Sequence, residues 1–286
     1  MPTIKSNPLY IVATPIGNLS DISFRAIETL RSVGLIASED TRNTSKLLNY
    51  YSIKTPLTSY HEHNKYDKAD YIINYLKTEA SVALVSDAGM PLIQDPGDVL
   101  IKRCEEEGID VYVIPGASAL ICALVLSGFD LKSFCFEGFL PDNKKDRTKK
   151  LEDLKNETRT ICIYVAPHDL KKVLKEIEGV FGGDRKISLS KELTKKFEKT
   201  YHGSINSVLM DLPENIKGEY VLVIEGKSRK AVEKEKTDAY SLITIREHLE
   251  KYLNEGYSEN DAMKLVAKDR NVPKKEIYKE IKIKNK

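Results

Sequence analysis

A chain of 286 residues with 41% hydrophobic and 31% charged side chains can bury a sizeable core, in keeping with two domains rather than one. No apolar run is long enough to span a membrane, and Met1–Asn7 carries no secretory h-region, so a cytoplasmic location is expected. The net charge of +2 hides a basic tail: residues 227–286 hold 16 Lys+Arg against 11 Asp+Glu, which fits either an anionic partner such as nucleic acid or a solvated lysine-rich face.

Residues 9–14 read as a first strand, leading into the turn Ala13-Thr14-Pro15-Ile16-Gly17-Asn18-Leu19, and 23–30 as a helix with apolar positions three and four apart. Leu35-Ile36-Ala37 predicts a short strand that runs into the polar cluster Ser38–Asn43. A helix is expected over 67–76, then a strand over 82–85 ending in Ser86-Asp87-Ala88-Gly89-Met90-Pro91. After the turn Asp95-Pro96-Gly97 come a helix over 98–104, a strand over 111–114, the turn Pro115-Gly116-Ala117-Ser118 and a buried helix from Ala119 to Leu126. Strands alternating with helices imply βαβ units and a parallel sheet.

A boundary is expected at the glycine turn 127–130, separating a domain of residues 1–128 from one of 129–226. In the second domain, strands are predicted over 134–140, 160–165, 186–190 and 219–224, with a helix at 170–177. The basic stretch 142–150 reads as a loop. Residues 227–238 read as a charged linker, and short helices follow at about 242–254, 258–270 and 273–283. Ser258 with Asp261 suggests a capping box, and Pro273 suits a helix start. The last two helices could form a helix-turn-helix-like module, a weak sign of nucleic-acid binding on its own.

Three strand-then-turn units bring their turns to one edge of a parallel sheet, the edge at which open α/β sheets bind ligands. No phosphate loop, dinucleotide fingerprint or nucleophile elbow is present. Small residues in the turns let the backbone approach a ligand closely. Asp87, the charged residue inside them, suits a ligand hydroxyl pair or ammonium, or simply shapes its turn. Ser118 is either a ligand contact or a helix N-cap. Cys104, Cys122, Cys135 and Cys162 are scattered among apolar neighbours and read as core residues, without the spacing of a metal site.

Seven segments fall in the same order as in one family: Thr14–Leu19, Glu39–Arg42, Ser86–Pro91 with Asp95-Pro96-Gly97, Pro115–Ala119, Glu137–Pro141, Glu192–Lys195 and Val223–Gly226. On these the chain resembles the ribosomal small-subunit methyltransferase I family, of the tetrapyrrole-methylase-like superfamily, over about residues 8–226. The tail is similar to the small helical domain of many members.

The resemblance implies an α/β protein of two α/β domains, a parallel sheet in the first and a mixed sheet in the second, plus a small helical C-terminal module. It implies a homodimer that holds S-adenosylmethionine (SAM) between the domains and methylates the ribose 2′-oxygen of a decoding-centre cytidine in 16S rRNA, without a metal. Carried over by position, Asp87, Ala88, Gly89 and Met90 would line the cofactor's methionine or ribose portion. Pro115, Gly116, Ser118 and Ala119 would meet it from the third turn, and Tyr164, Val165 and Leu193 would close the adenine side. Pro15, Gly17 and Asn18 would border the acceptor.

A ribose hydroxyl needs a base, for which Glu39, Asp40 and His63 are the candidates. RNA would meet Arg42, Asn64 and a clamp of Lys144, Lys145 and Arg147. Asn43 stands where many members have His, and Lys65 where many have an acid. The competing readings are a corrinoid or porphyrin methylase of the same superfamily, a non-catalytic ribosome-assembly RNA-binding factor, and an NAD(P)-dependent enzyme, the last disfavoured by the missing fingerprint.

Overall fold

Strands of the first sheet are short aliphatic runs, as a sheet covered on both faces requires. In the computed structural model, which describes residues 7–283, they alternate with helices. The order along the chain is β1 (Leu9–Val12), α1 (Phe24–Ser32), β2 (Leu35–Ser38), α2 (Thr41–Tyr50), β3 (Leu57–Ser59), α3 (Lys65–Thr78), β4 (Val82–Val85), α4 (Asp98–Glu106), β5 (Val111–Ile114) and α5 (Ala119–Ser127). All five strands are parallel, in the spatial order β3-β2-β4-β1-β5. Met1–Ser6, used above to read the amino terminus, lie outside the described residues.

Side chains alternate across this sheet with period two. Leu9, Ile11, Leu35, Val82 and Leu84 pack on one face against Ile72, Leu76, Leu100 and Cys104 of α3 and α4. Val12, Ile36, Ala83 and Val85 pack on the other against Ala26 and Leu30 of α1 and Leu48 of α2. Helix α2 was hidden in a polar segment because only Thr44, Leu47 and Leu48 turn inward. Its first turn is made by Asp40, whose side chain accepts from the Arg42 N–H at 2.9 Å.

The second sheet comprises β6 (Phe134–Phe139), β7 (Thr160–Val165), β8 (Lys186–Lys191), β9 (Lys199–Ser204) and β10 (Tyr220–Ile224), with α6 (Lys144–Leu154), α7 (Leu170–Phe181) and α8 (Ile205–Asp211) between strands. Its order is β6-β7-β10-β8-β9; β6 and β7 are parallel and the other pairs antiparallel, giving the mixed sheet expected. The apolar helix α5 lies against β8 and β10. Leu120, Ala123 and Leu124 share a cluster there with Cys162, Leu193, Val221 and Val223, and Ile16 of the first turn joins it. Both sheets therefore belong to one compact unit, running to Lys150 and over Thr160–Glu225.

Two segments differ from expectation. Residues 144–154 form α6 rather than a loop: they lack Gly and Pro, and Asn143 caps them by accepting from the Lys145 N–H at 2.8 Å. Residues 227–238 were read as a linker, but most of them belong to helix α9 (Arg229–Ser241), capped by Ser228. That helix belongs to a second compact unit, Leu151–Arg159 with the chain from Gly226 onward. There α10 (Ile245–Asn254), α11 (Glu259–Asp269) and α12 (Lys274–Ile283) bury Leu249, Ala262, Met263, Val266, Ile277 and Ile281 together. Thr244 and Glu247 form a complete capping box at α10, and Asn271, at φ +50°, makes the turn between α11 and α12.

Candidate active site

The first two turns are stitched together before any ligand is considered. Thr14 and Gly89 exchange both backbone hydrogen bonds, at 2.8 and 3.1 Å. The Ser86 hydroxyl also donates to the Gly89 carbonyl at 3.2 Å, and the Thr14 hydroxyl to that of Ser86 at 3.1 Å. Gly89, at φ +84°, is the residue that permits this close approach. Gly116 lets the third turn pack on the first, since a Cβ there would stand 2.9 Å from the Ala13 Cβ.

These turns and the facing edge of the second sheet enclose a cavity of about 440 Å³. Its walls include Asp87, Ala88, Gly89, Met90, Ser118, Ala119, Tyr164, Val165 and Leu193, drawn from three turns, the start of α5 and strand β7, far apart in sequence. Ile16, Ile93, Gln94, Asp95, Phe139, Ala166, Pro167, Glu219, Tyr220 and Val221 complete them. Pro115 and Gly116 are outside the wall, and Gly116 serves the packing of the third turn on the first. Ser118 lines the cavity and also caps α5, accepting from the Ile121 N–H at 3.5 Å.

The loop from Pro91 to Gly97 was the main feature missed. Leu92 and Gln94 hold left-handed backbone at φ +70° and +72°, a conformation that costs about 1 kcal/mol or more for a side-chain-bearing residue. That geometry lays the Gln94 carboxamide against Gly138, where a Cβ would fall 2.5 Å from it. The Asp95-Pro96-Gly97 punctuation was visible, but nothing local showed that it returns to the cavity.

Acid chemistry is concentrated at one end. Asp87 accepts from the Asp40 N–H at 3.1 Å and from the Asn43 carboxamide at 2.9 Å, so it anchors the start of α2. Burial, then the nearby charges of Glu39 and Asp87, push Asp95 up to about 6. Burial and the Asp87 charge raise Glu39 as well. Asp40 is held down at about 2 by its hydrogen bonds from Arg42, which makes it a poor proton acceptor.

Other sequence candidates take different places. His63 is exposed, whereas His61 is partly buried and within the field of Glu39. Asn64 is occupied with its own loop: it accepts from the His61 N–H at 2.8 Å and donates to the Ser59 hydroxyl at 3.1 Å. Arg147 is not a clamp on the surface. It is 3% exposed, forms a bidentate pair with Glu176, and donates to the carbonyls of Pro141 and Asp142 at 2.8 Å. Lys144 and Lys145 remain exposed in the first turn of α6.

The donor set suits SAM. Apolar surface from Ile16, Met90, Val165, Leu193 and Val221 fits an adenine or a thioether chain, and carboxylates fit an ammonium, a ribose diol or a sulfonium. Among the described residues, no cluster of three or more His, Cys, Asp or Glu is placed to hold a metal ion, and no helix is long and apolar enough to cross a membrane.

Comparison with known proteins gives a consistent picture. Residues 8–209 match the family model of tetrapyrrole (corrin/porphyrin) methylases. The chain is 47% identical over 271 residues to the ribosomal RNA small subunit methyltransferase I of Bacillus subtilis, covering 94% of this chain and 92% of that one. The protein of the same name from Halalkalibacterium halodurans is 46% identical over 271 residues, with 94% and 93% covered. In fold, the chain is similar to the crystal structure of a uroporphyrin-III C-methyltransferase from Thermus thermophilus, with a TM-score of 0.55, 17% identity, and 77% and 94% of the two chains covered.

Proposed function

The chain belongs to the tetrapyrrole methylase family, within the group of the small-subunit ribosomal RNA methyltransferases I, and from that premise we propose that it methylates ribosomal RNA. The acceptor in this reading is the ribose 2′-oxygen of a decoding-centre cytidine of 16S rRNA, and the donor is SAM. The single observation that carries it is the cavity itself, closed by residues of both sheets and bearing carboxylates at one end and apolar surface at the other. SAM bound there supplies an activated methyl group on a cationic sulfur.

The residues of the chain supply position and a place for a proton. Asp87, Ala88, Met90, Ser118 and Ala119 would hold the cofactor from the first sheet, and Tyr164, Val165 and Leu193 from the second. Fixing donor and acceptor in one orientation accounts for much of the acceleration expected of such a site. Asp95 in the cavity wall, or Glu39 near it, both with carboxyls that titrate above their ordinary range, would receive the one hydroxyl proton as the methyl–oxygen bond forms and the methyl–sulfur bond of the donor breaks. Pro15, Gly17 and Asn18 would border the acceptor side, and the exposed Lys144 and Lys145 would be available to phosphates.

A second copy of the chain has a natural seat. Helix α5 turns Leu120, Ala123 and Leu124 inward, yet its opposite face presents Ile121, Val125 and Leu126, with Val125 67% exposed. Tyr112 and Val113 of the edge strand β5 are exposed as well. A helix apolar all round is a helix with two partners, and we assign the outer face to a homodimer contact.

Incubating the full-length protein with methyl-labelled SAM and either undermethylated small ribosomal subunits or uroporphyrinogen tests the assignment. Label in the RNA alone is expected. Label in the tetrapyrrole would select the other branch of the family, and SAM binding without transfer to either would contradict both.

A further inference from the structure

A second concavity adjoins the cavity and has a different chemistry. Ile16 and Leu193 belong to the cavity wall, and the residues that follow them, Gly17–Ser20 and Thr194–Lys196, line an open depression together with Tyr50. The two concavities thus share two turns. Those turns are locked: the Asn18 N–H donates to the Thr194 hydroxyl at 3.2 Å, and a Cβ on Gly17 would fall 2.5 Å from the Lys195 Cγ. Glu192 and Thr194 are held at φ +51° and +66°, and Lys195 pairs with Glu192 and Glu219 at 3.1 and 2.9 Å.

Helix α2 leads from one concavity to the other. It starts at Asp40, bonded to Asp87 of the cavity, and ends at Tyr50 in the depression. Arg42, Lys46 and Tyr50 recur every four residues along its exposed face, a track about 12 Å long at the helical rise. The Tyr50 ring is 62% exposed and is steadied edge-on by Tyr51, whose hydroxyl donates to the Leu19 carbonyl at 2.6 Å. Directly after Lys196 of the opposite wall, Phe197 is 69% exposed, with the Lys196 ammonium 5.7 Å from its ring centre.

The charges decide which partner fits. Asp40 neutralises Arg42, and Glu192 with Glu219 neutralises Lys195, while Lys46 and Lys196 make no ion pair among the described residues. Isolated cations alternating with exposed ring faces form the surface that binds a single strand, whose phosphates and unstacked bases need both.

We propose that the depression and the exposed face of α2 dock the unpaired RNA strand flanking the nucleotide to be methylated. Bases stack on Tyr50 and Phe197, and phosphates meet Lys46 and Lys196. The proposal rests on the reading of the chain as an RNA methyltransferase.

Fluorescence anisotropy with a short, labelled, unpaired RNA containing cytidine tests it, alongside calorimetry of SAM binding to the same full-length proteins. Tyr50→Ala and Phe197→Ala should each weaken RNA binding by about ten-fold or more, the effect of losing one stacked base. Tyr50→Phe, which keeps the ring, should retain affinity. Lys46→Ala and Lys196→Ala should each flatten the dependence of log affinity on log salt by about 0.7. SAM affinity should be unchanged throughout. Wild-type binding with unaltered variants would overturn this docking surface alone, whereas no RNA binding by the wild type would overturn the underlying reading. Equal losses of RNA and SAM affinity would show a structural role and refute the proposal.

Discussion

Replacing Asp95 with asparagine should make the protein more stable at neutral pH and a poorer catalyst. The carboxyl of Asp95 rises from 3.8 to about 6 on folding, first through burial and then through the charges of Glu39 and Asp87. Between those values the folded state holds a proton that the unfolded chain has released, so stability falls as pH rises across that window and stays low above it. At 1.36 kcal/mol per unit the shift corresponds to about 3 kcal/mol. Asp95 is only partly buried, and solvent screening reduces this to about 1–2 kcal/mol. Asparagine mimics the neutral acid, and its NH2 can donate to the oxygen of the adjacent Ser86 hydroxyl, whose own proton goes to the Gly89 carbonyl.

Urea unfolding of both proteins at pH 4 and pH 7.5 measures the effect. The variant should match the wild type at pH 4 and exceed it by about 1–2 kcal/mol at pH 7.5, while methyl transfer falls by about 10²-fold or more. A difference independent of pH, or a variant less stable at pH 7.5, would refute the reasoning.

Removing the Arg147 side chain should cost about 3–5 kcal/mol in chemical unfolding, because Glu176 and two carbonyls lose their buried partner; a loss below 1 kcal/mol would mean the pair is effectively solvated. Gly138→Ala forces a side chain onto left-handed backbone and into the Gln94 carboxamide, so SAM affinity in calorimetry should fall by about ten-fold, or 1.4 kcal/mol; an unchanged affinity would place the cofactor away from this wall. Val125→Asp should shift sedimentation toward monomer without lowering the melting temperature by more than a few degrees, as the side chain faces solvent within one chain. A wild type already monomeric at micromolar concentration would remove the dimer assignment.

The architecture was legible wherever burial was continuous along the chain. Strands such as Val82–Val85 and Tyr220–Ile224 are aliphatic at nearly every position, and the alternation of Val82–Val85 and its neighbours with helices pointed to the parallel first sheet. Helix α2 and strand β9 were not legible, since so few of their side chains face inward that periodicity is lost. Helices α6 and α9 were misread from charge: lysine and glutamate are good helix formers, and a capping asparagine or serine carries the signal instead.

The site shows the same division. Its turns announced themselves through glycine and proline, and the family resemblance, carried over by position, named nine of the nineteen residues that line the cavity. Asp95 and Gln94 were not named, because their place depends on a loop that folds back across the sheet. Arg147 shows the converse error. A cation in a basic run suggests an exposed contact, but one turn of helix directed it inward to Glu176.

Nucleoside analysis of the methylated RNA tests the central claim most directly. After reaction of the full-length protein with SAM and small subunits lacking the modification, the RNA is digested and its nucleosides are separated by mass spectrometry. The account predicts 2′-O-methylcytidine as the new species, mapped to one position in the decoding centre and formed about 10²-fold more slowly by Asp95→Asn. A methyl group on a base, or on riboses scattered through the RNA, would contradict it.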